Sequence, residues 1–190
     1  GGGRASGRAV VVAVGPDAVA GLTPLPVPVT KGLRPWWFAA PEAPTDSTML
    51  IVDGRRRGPV VNAAVMSNAA PSYAPAGRHL VQVTCLLDAG RPGSETTAPS
   101  AAAASAAEAV VRRQVGEMFG VHAGDWELIR RDDIHHALPA QPAPLRTVAD
   151  ASISPGVYVA GDHRDTASIQ GALVSGNRVA QAVLADLAGS

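Results

Sequence analysis

Cysteine occurs once in this chain, at Cys85, so no internal disulfide framework can form. A reducing compartment fits that usage. Neither sign of charge is in excess, with 16 Lys and Arg against 16 Asp and Glu. That balance argues against nucleic acid or an anionic membrane surface as the main partner. No basic patch is interleaved with aromatics. No run approaches the roughly 20 apolar residues of a membrane-spanning helix. No His-Glu-x-x-His or comparable ligand spacing is present, so Asp132, Asp133, His135 and His136 do not read as a metal centre. The same holds for Asp162, His163, Arg164 and Asp165. No Ser-His-Asp arrangement has the local context that a hydrolase needs. The chain also lacks an initiating Met. It opens Gly1-Gly2-Gly3 and passes almost at once into a core-type strand, which reads as a processed start or as part of a longer protein.

What is present suffices for one domain of ordinary size or two small lobes. Arg8 to Val14 reads as a buried strand closed by the turn Gly15-Pro16. Asp17 to Leu22 reads as a short helix with Asp17 at its N-cap. Pro24, Pro26 and Pro28 force an extended connection. Strand-like runs follow at Leu33 to Ala39, Thr48 to Val52, Val60 to Val65 and Leu80 to Leu87, which predicts a mixed or antiparallel sheet built from hairpins. Asp88 to Ser100 is loop-like. Ala101 to Ala107 has high helix propensity and merges into an amphipathic helix from Glu108 to Phe119. Val111, Val115, Met118 and Phe119 share its apolar face, and Gly120 ends it. Trp126 to Ile134 reads as a strand, and Pro139, Pro142 and Pro144 as a second extended link.

The last forty residues are the most informative. Val157 to Ala160 is a short buried strand, Gly161-Asp162 a turn, and about Ala167 to Leu187 a helix. Its apolar stripe is predicted to hold Ile169, Ala172, Leu173, Gly176, Val179, Ala180, Val183, Leu184 and Leu187. Gly171 and Gly176 each cost roughly 1 kcal/mol of helix propensity, which suggests that something approaches the helix closely there. A strand that feeds a glycine turn and a helix N-terminus suits an anionic or polyol cofactor. The Asp162 carboxylate only accepts hydrogen bonds, so it matches hydroxyls and would repel a phosphate. The N–H groups around Ser168 to Gly171 can face a phosphate or a carbonyl that gains negative charge.

Gly156-Val157-Tyr158-Val159-Ala160-Gly161-Asp162, followed by Ser168-Ile169-Gln170-Gly171-Ala172 and Ser175-Gly176, resembles the C-terminal FAD-binding segment of the flavin amine oxidase and phytoene desaturase superfamily. Ala9 to Pro16 resembles the strand that returns from the substrate region to the flavin domain. Gly58 to Asn62, Ala70 to Pro75 and Ala137 to Ala140 resemble a branch described as NAD(P)/FAD-dependent oxidoreductases. The similarity runs over nearly the whole chain, with Gly93 to Ala107 as an insertion.

The resemblance implies an α/β protein with an α+β substrate region, the C-terminal part of a two-domain FAD/NAD(P)-binding fold of the glutathione-reductase kind. Residues 1–17 would be the strand returning to the FAD domain, 18–148 the substrate domain, and 149–190 the FAD-binding strand, turn and helix. The cofactor would be FAD. Asp162 would bind its ribityl or neighbouring hydroxyls, and the backbone at Ile169, Gln170 and Gly171 would approach the flavin pyrimidine edge. Gly161, Ser168 and Ala172 complete the expected cofactor site.

The implied reaction is hydride removal from a C–N or C–C bond of a small or lipophilic substrate. The implied setting is cytoplasmic, or organellar if a targeting segment precedes Gly1. Trp36 and Trp37, with Phe38, either line a substrate cavity or pack the core. His136 is a candidate on the substrate side. The family's opening Gly-x-Gly-x-x-Gly turn, which holds the FAD pyrophosphate and adenosine, is absent here. The Rossmann half is therefore expected to be missing, and a non-catalytic remnant or binding module stands as the alternative.

Overall fold

The computed structural model describes residues 3–87, 100–145 and 148–189. The chain divides into two compact units, one formed by residues 32–135 and the other by 1–31 with 136–190. The expected loop from Asp88 lies, apart from Ser100, outside the described residues.

The central unit is a sheet covered by a helix. Its strands are β2 (Thr30–Ala40), β3 (Ile51–Val52), β4 (Val60–Val65), β5 (His79–Leu86) and β6 (Glu127–Arg131), in the order β3-β4-β5-β2-β6. Strand β7 (Ile134–Pro139) also pairs with β2. Strand β2 pairs antiparallel with β5 and β6, and β4 antiparallel with β3 and β5. Alternation at period two sends Trp36, Phe38 and Ala40 of β2 and Val81, Val83 and Cys85 of β5 to one buried face. Strand β4 buries Val60, Ala63 and Val65, a change of parity that the register shift between Val60 and Asn62 accommodates.

Helix α2 (Ala101–Phe119) covers that face with Val111 and Val115, while Met118 and Phe119 pack at the margin. The alanine run is thus the first half of one continuous helix, capped by the Ser100 hydroxyl, which accepts from the Ala103 N–H. Gly120 ends it in the left-handed conformation, with φ of 73°. A buried polar knot ties the helix to the sheet. Gln114 accepts from the Val60 N–H at 2.9 Å and donates to the Val60 carbonyl at 2.9 Å and to Asp53 at 2.7 Å. Arg112 holds the loop after the helix by donating to the carbonyls of Ala123 and Trp126, with its guanidinium over the Phe38 ring. The short helix α1 (Met66–Ala69) follows β4.

The second unit contains a three-stranded sheet in the order β1-β9-β8. Strand β1 (Val10–Val12) lies parallel to β9 (Val157–Val159), and β8 (Ser152–Ser154) is antiparallel to β9. Helix α3 (Ile169–Ala188) packs on this sheet through Val179 against Tyr158 and Ala160. The Tyr158 hydroxyl donates to the Asp186 carboxylate near the far end of α3. Where a helix from Asp17 to Leu22 was expected, there is a single 3-10 turn, Val19–Gly21, with Ala18 at its N-cap and no side-chain cap. Pro24 closes in before a second turn can form. The expected strand from Trp126 to Ile134 is two strands, β6 and β7, separated at Asp132-Asp133. No helix among the described residues is long and apolar enough to cross a membrane.

Candidate functional site

The site begins where β9 ends. Val157, Tyr158 and Val159 are flanked by β1 on one side and β8 on the other, so the strand delivers Ala160-Gly161 into a fixed position. Gly161 has φ of 153°, a backbone conformation that side chains disfavour. A Cβ there would also lie 2.4 Å from the His163 ring. The Gly161 N–H donates to the Ser175 hydroxyl at 2.8 Å, and that hydroxyl donates to the Ala172 carbonyl at 3.0 Å. Ser175 is fully buried, so the turn is riveted to the second turn of α3.

Asp162 opens a 3-10 turn, Asp162–Arg164, that packs on α3. Its carboxylate forms no hydrogen bond among the described residues. The next carboxylate, Asp165, is engaged. Arg178 of α3 donates to it at 2.7 Å and to the Arg164 carbonyl at 2.9 Å. The hydrogen bond from Arg178 holds the Asp165 carboxyl below the usual carboxylate range. Arg164 in turn donates to the Asp150 carbonyl at 2.8 Å. These contacts fix the loop and leave Asp162 as its uncommitted acceptor.

Helix α3 starts at Ile169, with Ser168 at the N-cap. The Ser168 hydroxyl accepts from the Gly171 N–H at 3.0 Å, and the Ser168 carbonyl accepts from the Ala172 N–H at 3.0 Å. Of the N–H groups expected to face a cofactor, that of Ser168 donates to the Thr166 carbonyl at 2.7 Å and that of Gly171 is used in the cap. Those of Ile169 and Gln170 form no bond among the described residues and stand at the positive end of the helix dipole.

The two helix glycines have different causes. A Cβ on Gly171 would meet the Thr166 carbonyl oxygen at 1.9 Å, so the close approach there is made by the chain itself. Around Gly176 nothing lies within 4 Å. The predicted apolar stripe is also divided. The face turned to the sheet runs through Gly171, Ser175 and Val179. Ile169, Leu173 and Leu184 are exposed by 78%, 69% and 68%. Periodicity finds an apolar face without saying which neighbour covers it.

The structure brings Gly161 and Asp162 together with Ser168 to Ala172 in one unit. Trp36 and Trp37 belong to the central unit and His136 to the other. Trp36 is buried in the core, stacked with Phe38 at 6.3 Å between ring centroids. Trp37 points to the opposite face of β2 and is half-buried. His136 shares a hydrogen bond of 2.7 Å with the Thr30 hydroxyl. Burial pushes the Cys85 thiol up to about 11, which makes it a poor nucleophile. No group of three or more potential metal ligands exists among the described residues.

Two residues that the sequence reading had named take roles it left open. One is Ser175, whose buried hydroxyl anchors Gly161. The other is His163, whose side chain is only 2% exposed. Both follow from the packing of the turn on α3, which periodicity alone does not specify.

Over residues 1–184 the sequence matches the family described as flavin containing amine oxidoreductase. Among solved structures, the fold is similar to an oxidoreductase from Methanosarcina mazei, at 16% identity and a TM-score of 0.60. That similarity covers 93% of this chain and 43% of the other. The PF1083 protein from Pyrococcus furiosus is similar at 14% identity and a TM-score of 0.49, covering 81% of this chain and 32% of that one. A search of the curated proteins gives no match. The chain thus spans less than half the length of either structural relative.

Proposed function

The chain belongs to the flavin-containing amine oxidoreductase family, and on that premise we propose that it is the C-terminal portion of an FAD-dependent oxidoreductase. Residues 1–17 and 149–190 form its contribution to the flavin domain, and 18–148 form the substrate domain. The observation that carries the proposal is the uncommitted Asp162 carboxylate at the end of β9, beside an α3 start with two unbonded N–H groups. The residues present fit the cofactor. Asp162 would accept from hydroxyls of the ribityl region. The Ile169 and Gln170 N–H groups would be available to the edge of the ring that gains negative charge on reduction, and the dipole of a 20-residue helix would favour that charge. Gly161, Ser168, Gly171 and Ala172 hold these groups in place rather than contributing free donors. FAD, when bound, supplies the hydride acceptor.

The exposed apolar residues of α3 and of β1, where Val10 and Val11 are 53% and 47% exposed, support a missing flavin-domain half. Strand β1 is also an open edge of its sheet. The complete protein removes hydride from a C–N or C–C bond of an amine, a polyene or another lipophilic molecule. The absence of a Gly-x-Gly-x-x-Gly turn favours a second reading for the chain by itself, a binding module that keeps the substrate-domain fold without turnover. Anaerobic mixing of the completed protein with primary amines and with polyenes separates the two. Bleaching of the flavin absorbance by a substrate supports the oxidoreductase, and no bleaching with either class supports the binding module.

A further inference from the structure

Around β3 the central unit presents apolar side chains and unpaired arginines side by side. Met49, Leu50 and Val52 are exposed by 70%, 57% and 64%. Ile51 pairs with the buried Ala63 and fixes this run at the open edge of the six-stranded sheet. The chain then turns at once. The Asp53 N–H donates to the Val61 carbonyl at 3.0 Å, and the Arg56 N–H to the Asp53 carbonyl at 3.3 Å. The Asp53 side chain is fully buried, and its carboxylate accepts from Gln114, from the Arg55 N–H and from Arg57 Nε. A buried carboxylate is tolerated only when it is paired, and here its bonds hold the turn to itself and to α2. Arg57 is used within the fold, against Asp53 and Glu117. Arg55 and Arg56 are exposed and enter no ion pair among the described residues. Arg56 also has φ of 51°, where glycine or asparagine would be less strained, so the turn itself gives no reason for an arginine.

We propose that this corner of the central unit docks on an anionic lipid surface, with Met49, Leu50 and Val52 entering the headgroup layer and Arg55 and Arg56 meeting the lipid phosphates. The inference is independent of the cofactor reading. Contiguous exposed apolar side chains rimmed by arginine make up an interfacial anchor. The charge is complementary to such a surface. From Ser47 to Gly58 the one acid is Asp53, which is buried and paired. The apolar stems of the two arginines lie along the same layer while their guanidiniums reach the phosphates. A second copy of the chain fits less well. Strand β3 offers an edge of two residues, far short of the roughly 1,200 Å² that a stable interface buries. Both copies would also bring their arginines, with no exposed acid in the run to meet them. The net charge of the chain is zero, so the attraction is local and screened by salt.

The test is co-sedimentation of the chain with vesicles of phosphatidylcholine alone and with vesicles that also contain phosphatidylglycerol. The chain should sediment with the anionic vesicles, come off in high salt, and leave the neutral vesicles nearly bare. Arg55→Gln and Arg56→Asn should each weaken the partition about fivefold, the equivalent of about 1 kcal/mol per arginine at a lipid surface. Asparagine tolerates the left-handed turn better, so Arg56→Asn should keep or raise the melting temperature while its binding falls. A merely structural role for Arg56 would not separate the two readouts in that way. No sedimentation with the anionic vesicles overturns the proposal, as does full binding by both arginine variants. A concentration-dependent dimer in sedimentation velocity that Val52→Thr abolishes assigns the edge to a second copy and overturns the lipid surface. Binding that is lost when the upstream half of the gene is supplied assigns the corner to that half and also overturns it.

Discussion

Alanine at Gly171 and at Gly176 should change the stability of α3 in opposite directions. Both replacements gain about 1 kcal/mol of helix propensity. At Gly171 the new Cβ falls 1.9 Å from the Thr166 carbonyl oxygen and 2.7 Å from its hydroxyl. A backbone oxygen cannot swing aside as a side chain would, so the steric cost belongs at the upper end for overpacking, about 2–3 kcal/mol. The net loss is about 1–2 kcal/mol. At Gly176 no atom lies within 4 Å, so the gain of about 1 kcal/mol is retained. Native-state hydrogen exchange at the buried Val179 amide reads both effects locally. Exchange should accelerate roughly 5- to 30-fold in Gly171→Ala and slow roughly fivefold in Gly176→Ala. Equal signs in the two variants would refute the argument that Gly171 is fixed by internal packing and Gly176 is not.

Ser175→Ala removes the only acceptor for the Gly161 N–H seen among the described residues, and should cost about 1–2 kcal/mol in urea denaturation. A change below about 0.5 kcal/mol would contradict the anchoring role. Gln114→Ala strands both backbone groups of Val60 and should destabilise the central unit by more than about 2 kcal/mol, read by tryptophan fluorescence. Stability should also fall on acidification in two stages. Below about pH 6.5 the unfolded chain protonates His163 while the buried ring resists, so the folded state loses ground. Near pH 4 and below, stability is lost again as pH drops through the depressed values of Asp53, Asp133 and Asp165, held down first by Gln114, Arg34 and Arg178 respectively. A denaturation midpoint that rises between pH 6.5 and 5, or a slope there unchanged in His163→Phe, would contradict the first stage.

Strands β4 and β5 were legible from apolar alternation, and the end of α2 from Gly120, because local chemistry decides them. The same holds for the glycine turn at Gly161. Between Asp17 and Leu22 the expected helix is reduced to the 3-10 turn Val19–Gly21, which has no side-chain cap to support a longer one. The bulge at Val60 and the division at Asp132-Asp133 depend on strand pairing, which is a tertiary property. The α3 stripe shows the limit most clearly. Its spacing marks Ile169, Leu173 and Leu184 as interior, yet the sheet takes the neighbouring face through Ser175. A small polar residue at a buried position carries no hydrophobic signal, so Ser175 stood out as part of a motif while its anchoring bond to Gly161 waited on the placement of α3.

The central claim is that this chain carries one part of an FAD site and that the rest lies in a dinucleotide-binding half. The most direct measurement is the flavin-to-protein ratio by visible absorption after gel filtration with FAD, for the chain alone and for the chain completed by the upstream half of its gene. The claim predicts little or no retained flavin for the chain alone and close to one FAD per molecule for the completed protein. Tight stoichiometric retention by the chain alone would contradict its incompleteness, and no retention by the completed protein would contradict the FAD site itself.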